Sequence, residues 1–187
     1  MPQPWRRSLE RIFYETPDRV WLGLALGLRL VFALTLGGRL HQTDEVGFDA
    51  SAWTLASEGT LSVVPPIPSA AFALCFRLCG HNLLYPRLAQ AFVSAGTVWV
   101  LGRMTESLCG SRRAGRLALI MAALYPFFIY YSGMLMSETL YLAATVPGLW
   151  WLCSSFQERG ASWRRAAAAG AALAAAALCR PEAMPIA

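Results

Sequence analysis

The sequence contains no lysine: all 16 of its cationic side chains are arginine. Charge of either sign is scarce, at 14 % of residues, where a soluble domain carries about a quarter. Histidine occurs only at His41 and His81. Glu45 stands four residues after His41, but no second ligand follows at helical spacing, so the chain offers no ready metal constellation. The five cysteines are scattered. Cys75 and Cys79 share a helical face without a further pair at zinc-ligand spacing, which suits small apolar packing residues. There is no glycine loop to cradle a phosphate and no nucleophile elbow, and "GTVWVLG" lies inside an apolar run rather than after a strand. These absences exclude nucleotide-loop enzymes, dinucleotide oxidoreductases and serine hydrolases. No cofactor is expected, although a divalent metal remains compatible with the chemistry below.

What is present is apolar surface. Of 187 residues 56 % are hydrophobic, and the mean hydropathy is +0.43. About 20 apolar residues cross a bilayer. Residues 20–40 form a first such span, its apolar run over 20–38 broken only by Arg29, with no small-residue cleavage site after it. Residues 41–81 form a polar loop holding an acidic stretch and then "VVPPIPSAAFALCFRLCG", too short for a span and better suited to an interfacial helix. Further runs cover 82–102, 117–134 and 136–153, and a fifth begins at 166. The expected fold is an all-α polytopic membrane bundle of about four to five spans, with amphipathic helices in the first loop. Ala187 falls inside an unfinished apolar run, as in the N-terminal portion of a longer protein.

Orientation follows from the arginines. Segments 1–19, 103–116 and 154–165 hold 11 of the 16, and the positive-inside rule places them in the cytoplasm. The net charge of +5 is then a topology signal and does not call for nucleic acid. The expected protein is a multi-pass inner (plasma) membrane protein with a cytoplasmic N-terminus. The loop after the first span and the junction near residue 135 then share the outer face, which brings Asp44, Glu45, Asp49 and Glu138 to one surface.

The acidic stretch "DEVGFDASAWTLASEG" suits a helix capped at Thr43 or Asp44 and ended by Gly59. Glu45 and Asp49 share a face, whereas Asp44 points about 100° away from Glu45. These acids are either a solvated, well-capped helix start or a general base at the membrane surface. Glu138, alone among apolar residues, is either a helix-start cap or a functional carboxylate. Arg29 and Arg87 lie within spans. A central arginine costs roughly 2.5–3.5 kcal/mol on insertion scales, so each needs a carboxylate, backbone carbonyls or a phosphate. The aromatic groups at 125–131 and 150–151 fit interfacial belts.

The order of features then becomes informative. An arginine-bearing first span precedes "DEVGFDASAWTLASEG", a "PP" pair, "YPRLAQAFVSAGTVWVLGRM", a basic loop, "AALYPFFIYYSGMLMSETLYL" and "ALCRPEA". Over residues 20–185 this resembles the N-terminal part of GT-C glycosyltransferases that use a polyprenyl-phosphate sugar donor. Protein O-mannosyltransferases and the bacterial lipid A aminoarabinose transferases belong to that group. The resemblance implies an inverting hexosyl or pentosyl transferase of the cell envelope, acting in protein glycosylation or lipid A modification. It implies a polyprenyl-phosphate-linked sugar donor, a lipid or protein hydroxyl acceptor and surrounding membrane lipids as partners. It implies catalytic roles for Asp44, Glu45 and Glu138, with Asp44 as the base, and donor-phosphate binding by Arg87 and Arg29. Phe48 stands where members often carry tyrosine, so no hydroxyl role is expected there. The rival readings are a transporter or lipid carrier, whose intramembrane Arg29, Arg87 and Glu138 would line a path, and a non-catalytic membrane fragment.

Overall fold

The computed structural model describes residues 16–61, 65–157 and 163–180, and among them every regular element is a helix. In chain order they are α1 (Asp18–Leu36), α2 (Thr43–Glu58), α3 (Pro66–Cys79), α4 (Leu84–Cys109), α5 (Arg112–Leu124), α6 (Pro126–Gly133), α7 (Glu138–Gln157) and α8 (Trp163–Cys179). The chain thus forms the all-α bundle its apolar runs predict. Arg6, Arg7, Arg11, Arg159 and the stretch 181–187 lie outside the described residues.

The long helices run back and forth. Gly102 of α4 meets Gly115 and Leu119 of α5, because neither glycine has a side chain to hold the backbones apart. Gly133 at the end of α6 abuts Phe32 and Leu36 at the end of α1. Gly148 of α7 meets Leu173 of α8, and Glu138 at the start of α7 reaches Arg180 just past α8. One end of the bundle therefore carries the α2–α3 hairpin, the start of α4 and the turn before α7. The other carries the starts of α1, α5 and α8.

The expected third span is in two pieces. Pro126 has no amide hydrogen to give Ala122, so the helix breaks after Leu124, and α5 and α6 meet at 52°. The break strands carbonyl oxygens inside the bundle, and Arg29 fills them. Its Nη1 donates to Ala25 O at 2.8 Å and Ala123 O at 3.2 Å, its Nη2 to Ala122 O at 3.2 Å and its Nε to Ser94 Oγ at 2.8 Å. Of the partners open to Arg29 at the sequence level, carbonyls are the ones it takes.

Burial is inverted relative to a protein in water. Arg29, Glu45 and Arg87 have no exposed surface, while Val31, Leu34, Phe92, Met121 and Phe127 are more than half exposed. Apolar side chains face outward on the long helices and the charges sit between them, the arrangement a hydrocarbon solvent favours. By length and composition α1 can cross a membrane, and α5 with α6 makes a second crossing if taken as one broken span. Helices α4 and α7 have the length, at 26 and 20 residues. Buried Arg87, Gln90, Ser94 and Thr97 in the first, and buried Thr139 with half-buried Thr145 and Pro147 in the second, dilute their apolar character.

The α4–α5 crossing gives a test with two signs. A methyl at Gly115 would lie 2.6 Å from Glu106 Cβ and 2.7 Å from Gly102 O, so Gly115→Ala should destabilise by about 1–3 kcal/mol. Gly96, in the interior of α4, has nothing within 4 Å, and Gly96→Ala should stabilise by about 0.5–1 kcal/mol. Thermal unfolding in one detergent should place the two variants on opposite sides of the parent.

Candidate functional site

Helix α2 begins where its acids make a beginning favourable. Asp44 and Glu45 lie in its first turn, where the macrodipole attracts negative charge. The cap residue is Gln42 rather than Thr43 or Asp44, and Gly59, with φ 75°, ends the helix in the left-handed region that glycine tolerates. Adjacent positions on a helix face different ways, and here they separate two roles.

Glu45 points inward and is fully buried. Its Oε2 accepts from the backbone amides of His41 at 2.7 Å and Gln42 at 3.2 Å. Its Oε1 accepts from Leu135 N at 2.9 Å and Arg87 Nη2 at 3.3 Å. A carboxylate has about four lone-pair sites, and these four donors occupy them. Arg87, equally buried, also donates through Nη2 to Arg39 O at 2.6 Å and through Nη1 to Gly37 O. The pair joins the end of α1, the start of α2, the start of α4 and the turn after α6. Gln90, one turn along α4, donates to Met134 O at 2.6 Å and holds the same turn from its other side.

That turn leads directly into Glu138, the first residue of α7. Glu138 Oε1 lies 3.3 Å from Arg180 Nη1, with 14 % of the Glu138 side chain and 40 % of the Arg180 side chain exposed. Glu138 Oε2 is buried without a hydrogen-bond partner. Asp44, by contrast, is exposed on α2. Asp49, one turn along α2 from Glu45, receives His81 Nε2 at 2.8 Å. The His81 ring stacks on Trp53 at 4.5 Å and meets Phe76 edge-on at 4.8 Å. This clasp fixes α2 to α3 and to the connection before α4.

The sequence-predicted residues thus fall into three groups. Glu45 and Arg87 meet in one buried pair, and through Leu135 they tie the acidic helix to the Glu138 turn. Asp44 and the Glu138–Arg180 pair lie at the same end and keep some exposure. Arg29 sits apart at the α5–α6 break, its donors turned to carbonyls and Ser94. Arg180 received no role from the sequence; the signal was its place in "LCRPEA", a lone cation directly before a proline. Among the described residues no group of three histidine, cysteine, aspartate or glutamate side chains clusters to hold a metal ion. All five cysteines are free, and burial together with neighbouring Cys79 raises the Cys75 thiol above its ordinary pKa, which keeps it protonated and inert.

Chemically, a saturated carboxylate holds position, while an exposed one can receive a proton. A carboxylate with an unpartnered oxygen beside a guanidinium can meet a polar, partly anionic ligand. Removing one member of a buried ion pair costs about 3–5 kcal/mol, because it leaves an uncompensated charge. Glu45→Gln and Arg87→Met should each lower stability by that order. The double variant should lose less than the two losses added, by at least about 1 kcal/mol. Unfolding midpoints of the four proteins close the cycle, and strict additivity would separate the two residues energetically.

Residues 63–187, about two thirds of the chain, match the family model described as dolichyl-phosphate-mannose-protein mannosyltransferase. No curated protein and no solved structure matches the chain. The matched region contains Arg87, the Glu138 turn and Arg180, and it begins after the acidic helix. On the strength of that match the chain belongs to the dolichyl-phosphate-mannose-protein mannosyltransferase family, a family of membrane-embedded glycosyltransferases.

Proposed function

We propose that the chain transfers a sugar, with inversion, from a polyprenyl-phosphate donor to an acceptor hydroxyl at the outer face of the inner membrane. The family description names mannose on dolichyl phosphate and a protein acceptor, so a polyprenyl-phosphate mannose is the first donor to try. The observation that carries the reading is the division of labour between neighbouring acids: Glu45 is saturated and buried, and Asp44 beside it is exposed at the end where Glu138 and Arg180 meet.

The step balances on these residues. The acceptor oxygen attacks the anomeric carbon from the face opposite the phosphate. The new C–O bond forms as the bond from anomeric carbon to phosphate oxygen breaks, and the acceptor proton passes to the Asp44 carboxylate. Polyprenyl phosphate leaves with the electron pair, and Arg180 offsets the charge it gains. Glu138 orients Arg180. Glu45 and Arg87 hold α2 against the Glu138 turn, so the base and the donor end keep one geometry. Arg29 keeps the broken helix closed behind the site. In this reading the two span arginines serve position, and the phosphate meets Arg180.

The arginine-rich end then faces the cytoplasm and the acidic end faces outward, with the N-terminus inside. A general base contributes about 10²–10⁴-fold. In the full-length protein Asp44→Asn should therefore lower sugar transfer at least about a hundredfold, with Glu58→Gln, further along α2, near the parent. Release of polyprenyl phosphate from a labelled lipid-sugar donor in membranes reads this directly. Equal, small effects of the two substitutions would remove Asp44 from the chemistry. Arg180→Gln should raise the KM for the lipid donor by about tenfold, the scale of one charge-assisted hydrogen bond, with less change in the KM for the acceptor. A change confined to the acceptor would move Arg180 to the other substrate.

A further inference from the structure

Helix α6 brings to the acidic end of the bundle a hydroxyl that the proposed chemistry does not use. Gln42 Nε2 donates to the Tyr130 phenol oxygen at 2.7 Å. The direction of that bond is fixed by the other half of the same amide. Gln42 caps α2, and its side chain accepts from the backbone amide of Glu45, in a capping box whose return bond runs from Gln42 N to Glu45 Oε2 at 3.2 Å. A glutamine side chain accepts only through its oxygen. That oxygen therefore faces the helix start, and the NH2 group is what remains for Tyr130. The phenol oxygen is the acceptor, so its own hydrogen points away from Gln42. Among the described residues that hydrogen has no acceptor in the chain.

The ring that carries this donor is held in place. It is half-buried, packs on Phe32 of α1 at 6.0 Å and meets Tyr131 edge-on at 5.3 Å. Tyr131 in turn accepts through its carbonyl oxygen from Thr139 Oγ1 at 2.9 Å. Tyr130 is thus tied on one side to Gln42, two residues before Asp44. On the other it is tied, through its neighbour, to Thr139, the residue after Glu138. An aromatic of an interfacial belt needs only its ring at the boundary; it does not need a side-chain bond that dictates where its hydrogen points.

In the proposed displacement the base and the leaving phosphate stand on opposite sides of the sugar. Asp44 belongs to the start of α2 and the Glu138–Arg180 pair to the start of α7, so a group tied to both starts faces the sugar between them. The acceptors a sugar offers there are its ring hydroxyls, and a preorganised O–H is the donor that suits them. We propose that Tyr130 is a specificity-determining residue, which gives its phenol hydrogen to one hydroxyl of the donor sugar. Gln42 is its positioning residue, because it occupies the phenol oxygen and turns the hydrogen outward. The inference rests on the sugar-transfer reading and deepens it.

Tyr130→Phe keeps the ring and its contacts and removes the oxygen alone; the exposed Gln42 amide then turns to water. Full-length protein in membranes is given polyprenyl-phosphate mannose and its monodeoxy analogues, and release of polyprenyl phosphate gives kcat/KM for each. One such hydrogen bond is worth roughly three- to tenfold. Tyr130→Phe should lower kcat/KM for the mannose donor by that factor. One deoxy donor should show the same loss with the parent and no further loss with Tyr130→Phe, because its partner is already gone. Gln42→Glu, whose ionised carboxylate only accepts, should draw the phenol hydrogen to itself and give the same pattern with the tyrosine still present. The comparison is between donors, so a uniform effect of the added charge drops out. A structural role would lower every donor by one factor, and that result would overturn the proposal, as would unchanged mannose transfer by Tyr130→Phe. In both of those cases Asp44→Asn, at least about a hundredfold below the parent, would leave the sugar-transfer reading standing. No release by the parent, or an Asp44→Asn variant equal to it, would overturn that reading and the role of Tyr130 together.

Discussion

The structure turns on one buried ion pair. Glu45 and Arg87 are each without exposed surface and stand 3.3 Å apart. Around them converge the ends of α1 and α6 and the starts of α2 and α4. A charge in such a place is tolerable only when it is paired and hydrogen-bonded; Arg87 does this through Nη1 and Nη2 and leaves its Nε without a partner. The carboxylate meets that condition with four donors drawn from three separate stretches of chain. Satisfying the charge is therefore the same act as assembling the end of the bundle, and the proposed site inherits its geometry from that requirement.

Arg29 solves the complementary problem. Pro126 interrupts the helix that contains it, and the interruption leaves oxygens of Ala122 and Ala123 in need of donors. A guanidinium, with five N–H groups in a rigid plane, serves these oxygens together with Ser94 and Ala25. A proline that would break an isolated helix becomes a fixed bend once a neighbouring helix supplies hydrogen bonds. The bend in turn sets where α6 ends, and so where the turn before Glu138 meets Glu45.

These two devices leave the rest of the molecule free to be apolar. Outward-facing Val31, Leu34, Phe92, Met121 and Phe127 need no partner within the chain, and the remaining exposed charge is sorted to the two ends. Acids gather where Glu45, Asp49 and Glu138 are held, and arginines gather where α1, α5 and α8 begin. The sorting gives the bundle a polarity along its length.

Much of this was legible before any coordinates. Apolar runs near the length of a bilayer, a short proline-led helix and acids ahead of a glycine stop are local features, so helix positions followed from composition and capping. The gathering of acids at one end followed from counting apolar runs. What local pattern could not decide was which of two adjacent acids is buried, since either Asp44 or Glu45 satisfies the same helix start. Nor could it choose among carboxylate, carbonyl and phosphate as the partner of Arg29. The Arg180 contact was equally hidden, because its partner lies 42 residues away in the chain. Sequence alone determined the helices, their apolar character and the asymmetry of charge, because these depend on neighbours a few residues away. Tertiary structure alone decided which charges became internal braces and which kept an open face, because a buried charge is defined by donors and acceptors that only packing brings within 3 Å or so.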